Sequence, residues 1–192
     1  MTSDPSPELP HDLSNEREAA ERDFNDMLRE VLRTLPRLYS NTDVMSTLGI
    51  KPEGGCHYPL IGWVEFARLI QPLIERDHYG KKNTESITAP NLQRVYYREG
   101  QGTVVMEFDQ PIVWKEELSG QFYLDGEPGT IDSGTLNGNV LKLKLKPPSV
   151  ARKITYLKEM RWSQDKLLIG TNGIAALTFC DVPIGGEQGG SP

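Results

Sequence analysis

Two cysteines, three histidines and a shortage of basic residues define what this 192-residue chain does without. Cys56 and Cys180 stand far apart with no second cysteine near either, which excludes a disulfide-dense scaffold and offers no zinc-ligand spacing. Both read as free thiols that pack like small hydrophobes. No apolar run approaches the roughly 18 residues of a membrane-spanning helix. The opening MTSDPSPELPHD is acidic and lacks a basic stretch followed by an apolar one, so as written the chain carries no signal peptide and is expected to stay where it is made. The net charge is -6, with a pI near 5.2. That excess comes from the first 26 residues, and no basic face is present for counterion release from a nucleic acid. Lys142, Lys144 and Lys146 alternate and read as one wet strand face. Asp109, Asp125 and Asp132 lack calcium-loop spacing, and no cofactor motif appears.

Glycine and proline, by contrast, are plentiful, 18 and 14 residues, and point to many turns and short elements. Residues 1–13 read as a disordered acidic tail. Phe24, Met27, Leu28, Val31, Leu32 and Leu35 form one apolar stripe at helical spacing, capped at Ser14 or Asn15 and ended by Pro36; this helix is expected to lie on a sheet or a second helix. Asp43–Ile50 reads as a short buried strand. The glycine-rich PEGGCHYP then leads into a second helix over 60–76, in which Trp63, Phe66, Ala67, Ile70, Leu73 and Ile74 recur at helical spacing and Pro72 predicts a break.

After a polar linker over 81–90, eight short strands are expected: 92–98, 103–108, 120–124, 129–133, 140–145, 154–158, 167–169 and 176–182. Turn chemistry stands at Asp125-Gly126, Asn137-Gly138 and Asn172-Gly173. Local connections without helical spacers argue for an antiparallel β-sandwich, Ig-like or jelly-roll-like, over 91–184, followed by a disordered tail over 185–192. The expected fold class is α+β.

The order helix, strand, Gly54-Gly55-Cys56-His57-Tyr58-Pro59, helix resembles the last block of the SGNH (GDSL-type) hydrolases, in particular the branch of sialate O-acetylesterase-like carbohydrate esterases. In that family the loop after the final parallel strand carries the catalytic histidine just ahead of a terminal helix. Gly62-Trp63-Val64-Glu65-Phe66-Ala67 is similar to the start of that helix, and the stretch through Ile154–Leu157 and Gly170–Phe179 resembles an appended β-domain. The resemblance implies that residues 14–80 are a short αβα remnant of a flavodoxin-like domain. It also implies serine-dependent hydrolysis of an acetyl ester on a carbohydrate, with no cofactor and with His57 as the triad base.

The family's Gly-Asp-Ser nucleophile block and its Gly-x-Asn-Asp oxyanion block are absent. Its Asp-x-x-His pattern is also broken, because Gly54 stands three residues before His57 and leaves Glu53 as the substitute orienter. An imidazole acts as general base only with a hydroxyl in reach, so the chain alone is expected to be an inactive C-terminal piece or a degenerate member. A single strand with two helices cannot close an open parallel sheet by itself. A larger domain or a partner chain is expected to complete it.

The remaining candidates have plainer readings. His78 reads as a helix-end histidine favoured by the C-terminal dipole, and His11 lies in the tail. Cys56 beside His57 does not form a thiolate pair, since such partners meet across a fold. Ser46 and Ser133 lack a nucleophile elbow. Trp114 and Trp162, with Tyr96, Tyr97 and Tyr123, could form a sugar-stacking face in the β-domain; core packing is the alternative fate. The second functional class is thus a non-catalytic carbohydrate-binding or protein-interaction module.

Overall fold

A computed structural model describes residues 11–51, 58–82, 85–158 and 164–186, with the side chains of the first helix described from Asn25 onward. Glu53, Cys56, His57 and Trp162 lie outside the described residues. The described chain is α+β: two helices are followed by antiparallel sheets. Helix α1 spans His11–Leu38 and α2 spans Leu60–Tyr79.

The strands are β1 (Leu92–Arg98), β2 (Thr103–Phe108), β3 (Ile112–Val113), β4 (Phe122–Leu124) and β5 (Glu127–Pro128), then β6 (Ile131–Asn137), β7 (Val140–Leu145), β8 (Lys153–Tyr156), β9 (Ile169–Gly170) and β10 (Phe179–Pro183). They pair as β1-β2-β7-β6, β10-β8-β4-β5 and the small β3-β9 ribbon, and every strand pairing is antiparallel. Three expected strands, 92–98, 103–108 and 140–145, match β1, β2 and β7 residue for residue.

These matches follow from alternation. In β7, Leu141, Leu143 and Leu145 are buried while Lys142 and Lys144 face water, as a period of two requires on a half-solvated sheet. The inward side chains of both four-stranded sheets meet in one core, built on Val104, Met106, Phe108, Phe122, Leu141 and Tyr156. The Asp125-Gly126 turn takes φ of 50° and 86°, and Gly138 and Gly173 also have positive φ. Short polar or glycine residues tolerate that region and allow the tight reversals the sequence signals. The 120–124 expectation runs two residues early, because Glu116–Gln121 forms a 3-10 turn that delivers Phe122 to the core.

Three helical-region expectations are corrected. First, α1 begins at His11, inside the expected tail and ahead of the expected cap at Ser14 or Asn15, and continues two residues beyond Pro36. Proline lacks an N–H, but in a last turn it removes only the bond to the carbonyl four residues back. Second, α2 runs through Pro72 without a break and ends at Gly80 in the left-handed region, φ 63°. Third, Asp43–Ile50 forms no strand. The main chain of Asp43–Ser46 makes no hydrogen bond among the described residues, and a turn at Gly49 (φ 83°) follows. A strand needs a neighbour to pair with, and none of the ten strands reaches this segment.

The orientation of α1 is also a correction. Its apolar stripe faces outward: Met27, Leu28, Val31 and Leu32 are exposed, Val31 by 56%, while Arg33 on the opposite side is only 3% exposed. The inward face is a polar clamp. Arg33 donates to Glu30 (2.6 Å, twice), to Asn91 Oδ1 (3.0 Å) and to the Leu92 carbonyl (3.0 Å), and Asn91 Nδ2 donates back to the Arg33 carbonyl (2.9 Å). Glu30 also accepts from Cys180 N–H (3.0 Å), and Arg37 donates to the Leu92 carbonyl (2.6 Å). A buried guanidinium is tolerated because its donors are satisfied in fixed geometry. Hydrophobic periodicity gives the stripe, and the clamp decides which way it points.

Helix α2 docks by a second, smaller core of Ile50, Leu69, Ala89, Ile174 and Leu177, flanked by Val44, Met45, Tyr58 and Phe66. Its outer side leaves Leu60, Ile61, Trp63, Val64 and Ile74 exposed. The buried side carries Gly62, Leu69 and Leu73 with Phe66 packed beside them, so it shares Phe66 and Leu73 with the expected stripe but leaves Trp63 and Ile74 exposed.

Candidate functional site

Lys51 and Tyr58 are the described residues on either side of the segment that carries Glu53 and His57. Tyr58 donates its hydroxyl to the Thr47 carbonyl (3.1 Å) and meets Trp63 edge-on, with ring centroids 5.7 Å apart. Pro59 serves as N-cap, with φ -60° and ψ 164°. The first turn of α2 lies so close over Tyr58 that a Cβ on Gly62 would stand 2.9 Å from the Tyr58 Cβ. Glycine at 62 is therefore a requirement of this approach. The helix begins at Leu60, three residues after His57, which is the order the sequence resemblance implies.

Between residues 48–51, α2 and residues 164–175 lies a cleft of about 280 Å³. Its floor is Leu69, Leu167 and Ile174, all buried; Lys51, Glu65, Gln164 and Asp165 stand on its rim. Lys51 and Asp165 form an ion pair, and Gln164 accepts from the Gly49 N–H. Glu65 receives two hydrogen bonds from Arg68 (2.9 and 2.6 Å), which hold its carboxyl below the usual carboxylate range. The Lys51 ammonium does the same for Asp165. Rim and floor join residues more than a hundred positions apart, and no motif or spacing in the sequence signals that meeting.

A groove of about 310 Å³ lies between α1 and residues 44–48. Ser46 lines it, and its hydroxyl is buried with no hydrogen-bond partner among the described residues. No histidine lines that groove among the described residues. Ser133 sits half-buried on β6, likewise without a histidine partner among the described residues. His78 lies exposed in the last turn of α2, where the sequence reading places it.

Of the aromatic candidates, Trp114, Tyr96, Tyr97 and Tyr123 are described. Trp114 donates its indole N–H to Glu116 (3.0 Å), and Gly134 N–H donates to the same carboxylate (3.1 Å). The indole lies directly over Gly134, where a Cβ would come within 2.3 Å of the ring, and it also packs near Phe122 at 6.1 Å. Tyr96, Tyr97 and Tyr123 are buried. Tyr96 donates to Glu107 (2.9 Å) and Tyr97 to the Ala151 carbonyl (2.9 Å).

The three aspartates considered for calcium serve separate ends. Asp109 accepts from Asn91 N–H (2.8 Å) and burial pushes its carboxyl up; Asp125 accepts from Arg152 and Lys153 N–H (2.9 Å each); Asp132 faces Lys146 at 3.9 Å. No cluster of three metal-ligating side chains occurs among the described residues. Nor is any helix among them long and apolar enough to cross a membrane. Cys180 is a free thiol whose pKa is raised by burial.

No family model matches this chain, and no curated protein does. Among solved structures the chain is similar to a carbohydrate acetylesterase from Xanthomonas citri, with a TM-score of 0.49 and 17% identity. The similarity covers 68% of this chain and 30% of that enzyme, so it spans under a third of the enzyme's length.

Proposed function

We propose that this chain is the histidine-bearing part of a carbohydrate O-acetylesterase-like SGNH hydrolase, with an appended β-sandwich, and that it hydrolyses no ester by itself. One observation carries the reading: α1 and α2 leave apolar faces bare on either side of a segment, Asp43–Ser46, whose main chain is unpaired among the described residues. Main chain with unused donors and acceptors is open to completion by another strand. Helices flanking such a strand are completed by the rest of an α/β layer. The covering element in this reading is the remainder of the esterase domain, which holds the nucleophile and the oxyanion donors.

The chemistry divides accordingly. The covering part supplies a serine hydroxyl. His57 takes its proton as the oxygen attacks the acetyl carbonyl, and returns it to the departing sugar oxygen; water then attacks the acetyl-enzyme and releases acetate. Glu53 orients the imidazole. Without the covering part, the loss of an oxyanion donor alone removes a factor of about 10²–10³, and no nucleophile is present to be activated.

Hydrolysis of p-nitrophenyl acetate by the full chain and by His57→Ala tests this directly. Equal, background rates are expected. Robust turnover lost in His57→Ala would place the nucleophile within the chain and overturn the division of labour. Translation of the flanking DNA in all frames is the companion test: a Gly-Asp-Ser block followed by Gly-x-Asn-Asp is expected there, and its absence would count against the family reading.

A further inference from the structure

We infer that Asn137 is a site of spontaneous covalent modification in the folded chain: its amide closes on the Gly138 nitrogen to a succinimide, while the second Asn-Gly pair, Asn172-Gly173, is kept intact by its hydrogen bonds. The inference is independent of the esterase reading. An asparagine followed by glycine is suited to this chemistry because no side chain hinders the following nitrogen. The Gly138 nitrogen loses its proton to solvent base and attacks Asn137 Cγ; a C–N bond forms, the Cγ–Nδ2 bond breaks and ammonia leaves. One water then opens the ring at either carbonyl. The product is aspartate, or isoaspartate with the main chain running through the side-chain carbonyl.

Locally the two pairs match. Both glycines have positive φ (60° and 81°), and nothing lies within 4 Å of a Cβ built on either. Hydrogen bonding separates them. At 172 every reacting group is engaged. The Gly173 N–H donates to the Gly170 carbonyl (2.9 Å), and Asn172 Oδ1 accepts from Ile174 N–H (3.0 Å). Asn172 Nδ2 donates to the Ser86 and Thr88 carbonyls (2.8 and 2.9 Å) and to Gln110 Oε1 (3.2 Å). Ring closure there must first break this network, which also holds the half-buried side chain in place.

At 137 the residue is exposed, and neither its amide nor the Gly138 N–H has a hydrogen-bond partner among the described residues. The turn is anchored from its other side. The Gly138 and Asn139 carbonyls accept from Ile112 and Phe108 N–H (3.3 and 2.9 Å), and Asn139 Nδ2 donates to the Phe108 carbonyl (2.6 Å). The hairpin thus stays formed while its reacting atoms remain open to water. Asp125-Gly126 reaches the same ring only by losing water, and its carboxylate accepts from Arg152 and Lys153 N–H (2.9 Å each). Reaction at 137 changes the sheet. Asn137 pairs with Val140 and Val140 with Glu107, so the new carboxylate joins Glu107 on the outer face, and isoaspartate lengthens the main chain of β6 by one carbon.

Incubation of the full chain in mildly alkaline buffer, followed by peptide mass mapping, tests the assignment. The mass gain of amide-to-acid exchange is expected at Asn137 at least about tenfold faster than at Asn172, a barrier difference of about 1.4 kcal/mol. The same incubation in urea strong enough to unfold the chain should bring the two rates together, since both pairs then sit in flexible chain. Asn137→Gln, whose longer side chain would have to close a six-membered ring, should abolish the gain at 137 and leave 172 as it was. Equal rates at the two sites in the folded chain, faster reaction at Asn172, or no gain at Asn137 would overturn the inference. So would a rate difference that persists in urea, which would assign the contrast to neighbouring residues in sequence and not to the fold.

Discussion

Gly134 shows how a single residue position can fix a larger side chain. Its missing Cβ makes room for the Trp114 indole, and its N–H shares Glu116 with the indole N–H. Gly134→Ala would drive a methyl to within 2.3 Å of the ring. A destabilisation of about 1–3 kcal/mol is expected from the forced shift, measurable by urea denaturation with Trp114 fluorescence as the local probe. Unchanged stability would mean that the indole is free to move and is not locked against the sheet. The same residues explain why tryptophan is ambiguous in sequence: an indole on a strand flank suits a sugar face or a core rim equally, and its packing over Gly134 is a tertiary contact that no local pattern signals. His57 is read from its neighbours in sequence alone and lies outside the described residues.

Among elements, α1 is the one whose behaviour departs furthest from its periodicity. An apolar stripe normally buries itself, yet here Arg33, Glu30 and Arg37 hold the opposite face to β1 and β10. Arg33→Met removes the donors while keeping much of the stem's bulk. It leaves Asn91 and the Leu92 carbonyl without this donor and Glu30 without its main partner. The expected loss is about 2–3 kcal/mol, below the value for a fully buried pair because the Glu30 side chain is 25% exposed. Chemical denaturation measures it, and hydrogen exchange should show α1 released before β2 and β7. If Arg33→Met were neutral, the clamp would not be what orients the helix. Strands β1, β2 and β7 are legible to the residue because alternation and turn chemistry are local; β3 is not, and the 167–169 expectation meets β9 only at Ile169, since so short a pair exists only through its partner.

For the whole molecule, the division into a large β core and a small α2 core leaves one side of the helical region apolar and bare. Val31→Lys and Ile61→Lys should each change stability by less than about 0.5 kcal/mol, as surface substitutions do, and should raise solubility. Thermal unfolding checks the first and concentration-dependent sedimentation the second. A loss above about 2 kcal/mol would show that these side chains are packed within the chain, at the level expected for core residues. The cleft rim belongs to this scale too: Lys51 and Asp165 meet only because α2 and the β-region share Ile50, Leu69, Ile174 and Leu177.

The sequence by itself determined the α+β class, the main strands and their solvent faces, the turns, and the place of His57 ahead of a helix. Each of these is written in a window of a dozen residues through spacing, capping and backbone preference. Tertiary structure alone decided that α1 turns its polar face inward, that Asp43–Ser46 finds no strand partner among the described residues, and that a cleft opens between residues 48–51, α2 and residues 164–175. Those outcomes depend on competition between distant partners. A satisfied buried guanidinium can outweigh a stripe of leucines, and which partner arrives cannot be read from either residue alone.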